Sequence, residues 1–132
     1  MENAVLDSYA VLAFLFKEKG HELVLGLFEK ALEADKKLLI ATPNWAEVRY
    51  MVERKVGAAR WGEVKTKLLG LPLEIIDADQ ELAETAGEIK AFHKMSLADC
   101  FAAALARFKK AAIYTGDPEF KAIEAEQKIV WL

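Results

Sequence analysis

The sequence predicts an α/β fold: a three-layer α/β/α sandwich around a central parallel sheet of five short strands. Two patterns carry this reading. Five apolar runs, each too short for a helix, alternate with stretches of helical period, as parallel βα units do. Acidic residues or helix-start signals also stand where strands hand over to helices. The 132 residues fit a single domain, 1–132, with a core of ordinary extent.

The elements follow in order. Val5-Leu6 is the first strand, and Tyr9, Val11, Leu12, Leu15 and Phe16 give a helix from Ser8 to about Lys17, stopped near Gly20. Leu23, Leu27, Phe28 and Leu32 define a second helix, His21 to about Asp35, which makes a hairpin with the first. Leu38 to Ala41 is a buried strand. Thr42-Pro43 is a helix start with Thr42 as N-cap, and that helix runs to Val56 before Gly57. A further helix covers Ala58 to Leu69, ended by Gly70, and Pro72 bars continuation. Leu73 to Ile76 is the third strand, Asp79 caps a helix to about Phe92, and 93–95 is a connector. Ser96 opens a helix through Leu97, Phe101, Leu105 and Phe108. Ala111 to Thr115 is the fourth strand, Asp117-Pro118 opens a short helix, and Ile129-Val130-Trp131 closes the sheet. Crossovers are expected to be right-handed.

A chain 30% charged and 54% apolar is a folded, not a disordered, composition. The single cysteine, Cys100, cannot form an internal disulfide and reads as a small core residue. Phe14, Phe16, Phe28, Phe101 and Phe108 also read as core. No basic leader precedes Ala4-Val5-Leu6 and no run is long enough to cross a bilayer, so a cytoplasmic protein is expected. The net charge of −3 is unevenly spread. Residues 49–67 carry six basic side chains against two acidic ones, and residues 68–106 carry two against seven. Arg49, Arg54, Lys55 and Arg60 in the basic stretch could face phosphates, or could be solvated helix surface with i,i+4 pairs.

Four acids stand out: Asp7, Glu47, Asp99 and Asp117. Each has a plain reading. Asp7 caps the helix at Ser8, Asp99 is the fourth residue of a Ser96-Leu97-Ala98-Asp99 capping box, and Asp117 is an N-cap before Pro118. Glu47 falls about 140° from the apolar face of Trp45, Val48, Val52 and Val56, as a solvated residue would. Their conjunction argues otherwise. If the strands take the order 3-2-1-4-5, Asp7 and Asp117 follow neighbouring strands whose loops diverge, at the switch point where ligands bind in open α/β sheets. Several carboxylates in one crevice repel one another unless a cation sits among them, which points to Mg²⁺ or Mn²⁺. There is no P-loop, no GxGxxG and no nucleophile–base pair; His21 and His93 lack a ligand pattern.

These motifs resemble those of PIN-domain nucleases. Val5-Leu6-Asp7-Ser8-Tyr9-Ala10-Val11-Leu12 is similar to their first motif, and Leu97-Ala98-Asp99-Cys100 with its alanine-rich continuation to the third. Tyr114-Thr115-Gly116-Asp117-Pro118-Glu119-Phe120 is similar to the fourth; Pro43-Asn44-Trp45-Ala46-Glu47-Val48 fits the looser second. The length is that of VapC-type toxins of toxin–antitoxin pairs. The resemblance implies an acidic quartet of Asp7, Glu47, Asp99 and Asp117, with Asp7, Asp99 and Asp117 as metal ligands and the Ser8 and Thr115 hydroxyls orienting carboxylates or water. It further implies a Mg²⁺- or Mn²⁺-dependent endoribonuclease, an RNA substrate, a small antitoxin partner and a homodimer. Other readings are a catalytically degenerate PIN-like module or another α/β binding module whose acids are only caps. An Asp-x-Asp phosphotransferase would need an acid where Tyr9 stands, and a receiver-like module would need paired acids near the first strand and a lysine after the last.

Overall fold

Strand side chains alternate between the two faces of a sheet, and here that alternation divides the core in two. Val5, Leu39, Ala41 and Ile113 point to one face; Ala4, Leu6, Leu38 and Ile40 point to the other. A computed structural model describing residues 1–132 arranges the strands as one parallel sheet in the order β3-β2-β1-β4-β5. They are β1 (Ala4–Leu6), β2 (Leu38–Ala41), β3 (Leu73–Ile76), β4 (Ala112–Thr115) and β5 (Ile129–Trp131). Both faces are covered, which is why the central strands are apolar runs without polar alternation.

Helices α1 (Ser8–Leu15), α2 (His21–Glu33), α3 (Thr42–Val56) and α4 (Ala58–Leu69) supply one cover, through Val11, Val24, Val48, Val52 and Leu68 among others. The other cover comes from α5 (Gln80–Phe92), α6 (Leu97–Lys109) and a 3₁₀ segment at Pro118–Ile123. In α6 the buried face is Ala102, Ala103, Ala104 and Ala106, and these small side chains let its backbone lie close against β1, β2 and β4. No helix is long and apolar enough to cross a membrane.

The expected elements are present, with local differences. Helix α1 stops at Leu15, where Phe16 is its C-cap and Lys17 takes a left-handed φ of 53°. Gly20 instead precedes α2 as its N-cap, with a φ of 91°. Helix α2 ends at Glu33, before Asp35 turns left-handed. Thr42 is the first residue of α3 and not its N-cap; its hydroxyl accepts a hydrogen bond from the Ala78 amide, tying α3 to the segment after β3. Asp79 does cap α5, accepting from the Leu82 amide. Of the five phenylalanines read as core, Phe28 is buried and Phe14, Phe16 and Phe101 are half-buried, but Phe108 is exposed, because it lies in the last turn of α6, where no residue after Ala106 is buried.

Gly20 is also where Leu132 packs: a Cβ there would lie 2.5 Å from the Leu132 Cβ. With both a left-handed φ and this close approach, Gly20→Ala should lower the unfolding free energy by about 1–2 kcal/mol. Gly26→Ala, inside α2 with open space around it, should raise it by about 0.5–1 kcal/mol. Urea unfolding of the two variants checks both signs.

Candidate metal centre

Asp7 leaves β1 at its carboxyl end and is buried, only 1% exposed. Both of its oxygens are engaged. Oδ1 accepts from the Ala10 amide (2.9 Å), capping α1, and Oδ2 accepts from the Thr115 hydroxyl (2.5 Å). Thr115 ends the neighbouring strand β4, and its Oγ1 also accepts from the Asp117 amide at 2.9 Å. One buried hydroxyl therefore fixes the carboxylate after β1 and the backbone of the acid after β4.

Asp117 opens the 3₁₀ segment, and its Oδ1 accepts from the Glu119 amide. Oxygens of Asp99, Asp117 and Glu119 all lie within 4.8 Å of one another. Asp99, in the first turn of α6, is 4% exposed, and its Oδ2 is buried with no hydrogen-bond partner. The charges of Asp117 and Glu47 bear on Asp7, and those of Asp117 and Asp7 bear on Asp99. Glu47 is half-buried in α3, and its Oε1 accepts from the Ser8 hydroxyl at 2.9 Å. The four acids and the two hydroxyl residues read from the sequence thus come together at one edge of the sheet.

Glu47 is there because the buried face of α3 differs from the one its apolar residues suggest. That face is Asn44, Val48 and Val52, while Val56 is exposed. Measured from this centre, Glu47 lies about 100° away, on the flank that borders α1. Asn44 is fully buried; its Nδ2 donates to the Ala98 carbonyl (3.1 Å) just before Asp99, and its Oδ1 has no partner. Asn44 and Glu119 are the residues at the site that sequence reasoning missed. The sole local signal for Glu119 is its place two residues after Asp117, and Asn44 gave none.

The electrostatics match the crowding. Burial raises Asp7 from the usual carboxylate range to about 7, against the opposing hydrogen bonds from Thr115 and Ala10, with the charges of Asp117 and Glu47 adding to the rise. Burial likewise raises Asp99 to about 8, helped by the charge of Asp117, by the Glu119 side chain within hydrogen-bonding reach and by the charge of Asp7, and opposed by the Ser96 hydroxyl. An all-oxygen donor set, with one buried carboxylate oxygen left unpaired, suits a hard divalent cation. Asp99 and Asp117 are the side chains best placed to hold one, with Glu119 beside them accepting from the Ser96 amide and Asp7 hydrogen-bonded to Thr115.

The basic stretch is divided. Arg49 donates to Glu53 (2.7 Å) and lies over the Trp61 ring, and Arg60 donates to Glu63 (3.2 Å). These two belong to the α3–α4 surface. Arg54 stacks on Tyr50 and Lys55 on Phe16. Arg54 follows Glu47 by seven residues, on the same face of α3. Arg54 and Lys55 line a groove of about 410 Å³ with Leu12, Phe16, Glu18 and Met51, between α1 and α3. Next to Asp117 the Tyr9 ring rests on Gly116, in the space that a Cβ there would need.

Comparison with known proteins places this geometry. A family model for the PIN domain matches residues 4–126. No curated protein matches the sequence significantly. Among solved structures, a DNA-bound VapBC from Salmonella typhimurium aligns with a TM-score of 0.76 at 20% identity, covering 98% of each chain. VapC20 of Mycobacterium tuberculosis, a Sarcin-Ricin loop cleaving toxin, aligns at 0.72 and 20% identity, covering 98% of this chain and 100% of that one. FitAcB from Neisseria gonorrhoeae aligns at 0.68 and 19%, covering 96% and 95%. At these identities the likeness is one of fold.

A carboxyl group whose folded pKa lies above its unfolded value holds a proton that the unfolded chain has already lost. Stability from Asp7 and Asp99 is therefore present below about pH 4 and lost as pH rises toward 7 and 8. In EDTA the melting temperature should fall between pH 5 and pH 8, and it should fall less in Asp7→Asn, which cannot ionise at that position. Circular dichroism melts across this range measure the difference.

Proposed function

The chain belongs to the PIN domain family, and we propose that it is a Mg²⁺- or Mn²⁺-dependent endoribonuclease acting in the cytoplasm as the toxin of a VapBC-type toxin–antitoxin pair. The observation that carries this reading is the convergence of Asp7, Glu47, Asp99 and Asp117 on one edge of the sheet, with the buried Asp99 Oδ2 unpaired. A divalent ion held there supplies charge neutralisation at a phosphodiester and lowers the pKa of water for in-line attack.

The chain's own residues do the rest. Asp99 and Asp117 would hold the ion. Asp7 stands behind them, its orientation fixed by the Thr115 hydroxyl. Glu47, steadied by Ser8, takes the proton of the attacking water. Arg54 and Lys55 offset the repulsion between an acidic crevice and an RNA backbone. Arg49 and Arg60, engaged with Glu53 and Glu63, make at most an outer contribution. The groove between α1 and α3, apolar along Leu12, Phe16 and Met51 and rimmed by Arg54 and Lys55, suits a segment of a small antitoxin. The exposed Leu23, Leu25 and Leu32 of α2 give the hairpin apolar surface available to a homodimer.

One observation favours a second reading, a degenerate binding module: Asp7 and Asp117 do cap their helices. The same experiment separates the two. With a structured RNA and Mn²⁺, Asp7→Asn and Asp99→Asn should each cut cleavage by about 100-fold or more while far-UV circular dichroism is unchanged, and EDTA should abolish it. Cleavage that survives EDTA contradicts the metal mechanism, and a wild type that neither cleaves nor binds Mn²⁺ supports the degenerate module. Binding should weaken with added salt, and Arg54→Ala with Lys55→Ala should flatten that dependence by about one to two counterions.

A further inference from the structure

Ser96 to Asp99 has the spacing of a capping box, in which the first residue's hydroxyl takes the fourth residue's amide and the fourth side chain returns to the first amide. Only half of that exchange is made. The Asp99 amide donates to Ser96 Oγ (3.2 Å). The Ser96 amide, however, donates to Glu119 Oε1 at 2.7 Å, from a different element 23 residues away. The Asp99 carboxylate therefore does not take the Ser96 amide; it stays near the Ser96 hydroxyl, and its Oδ2 is left buried and unpaired beside Asp117.

We propose that Glu119 is a positioning residue: by taking the Ser96 N–H in place of Asp99, it leaves the Asp99 carboxylate available to a cation. This rests on the metal-binding reading above. The alternatives for Asp99 are close in space and mutually exclusive. If nothing else accepts the Ser96 amide, the Asp99 side chain is the nearest group built to do so, and turning back to the helix end takes its oxygen out of the crevice. Glu119 is well placed to prevent this. It is held by its own amide to Asp117 Oδ1, so the residue that frees Asp99 is hydrogen-bonded to the second acid of the cluster. Because Glu119 acts as a hydrogen-bond acceptor, its charge is dispensable for this role.

Glutamine keeps the acceptor and removes the charge; alanine removes both. Mn²⁺ titrations by calorimetry should therefore give Glu119→Gln an affinity within about 3-fold of wild type and Glu119→Ala a loss of about 10-fold. Hydrogen exchange of the Ser96 amide supplies a second readout. In Glu119→Ala it should be protected without metal, by Asp99, and lose that protection at saturating Mg²⁺. Three results would overturn the inference: undiminished Mn²⁺ binding in Glu119→Ala, an equal loss in Glu119→Gln, which would make Glu119 a ligand through its charge, or a Ser96 amide open to exchange in both states. An Asp99→Asn control separates the premises. Equal Mn²⁺ binding by wild type and Asp99→Asn would overturn the metal reading and this inference with it, whereas loss in Asp99→Asn with none in Glu119→Ala overturns the inference alone.

Discussion

Like charges brought out of water into a shared crevice repel strongly, and this protein holds several carboxylates in that arrangement by force of its fold. Burial is the largest cause that pushes Asp7 and Asp99 to bind protons near neutral pH, and the charges of their neighbours add to it against opposing hydrogen bonds. No helix cap requires such crowding, since a cap works as well at a solvated helix end. The arrangement stores unfavourable electrostatic energy that a divalent cation would relieve, and the local architecture serves to keep the carboxylates from moving apart.

The restraint is built from strand ends. Strands β1 and β4 lie side by side, so Asp7 and Thr115 meet across the ladder, and the single hydroxyl of Thr115 links the Asp7 carboxylate with the Asp117 backbone. Helix α3 adds Glu47 through Ser8, and Asn44 ties the same helix to Ala98 at the start of α6. The alanine-rich face of α6 then brings Asp99 close to the sheet. The Asp7–Thr115, Ser8–Glu47 and Asn44–Ala98 bonds join elements far apart in the chain, and only the Thr115–Asp117 bond is local.

Sequence legibility followed the range of the interactions. The order of elements along the chain and the positions of Asp7, Asp99 and Asp117 were readable because cap signals and strand–helix handovers are local, whereas the order of strands across the sheet is long-range pairing that only the motif resemblance supplied. Glu47 was harder, since its wheel position depends on whether Asn44 or Val56 faces the core, and polarity argues for the wrong one. Thr42 was misread as a cap because its hydroxyl is used by Ala78, 36 residues away. Glu119 escaped notice for the same reason: its partner is the Ser96 amide, and no spacing rule connects positions 96 and 119. The basic stretch looked uniform in sequence, yet Arg49 and Arg60 are occupied by neighbouring glutamates while Arg54 and Lys55 stack on aromatic rings.

Tyr9 and Gly116 are usefully considered as one steric unit. The ring occupies the volume where any side chain at 116 would begin, so the two positions cannot drift independently. A side chain at 116 therefore requires the half-exposed Tyr9 ring to swing out toward solvent, or a smaller residue to stand at position 9.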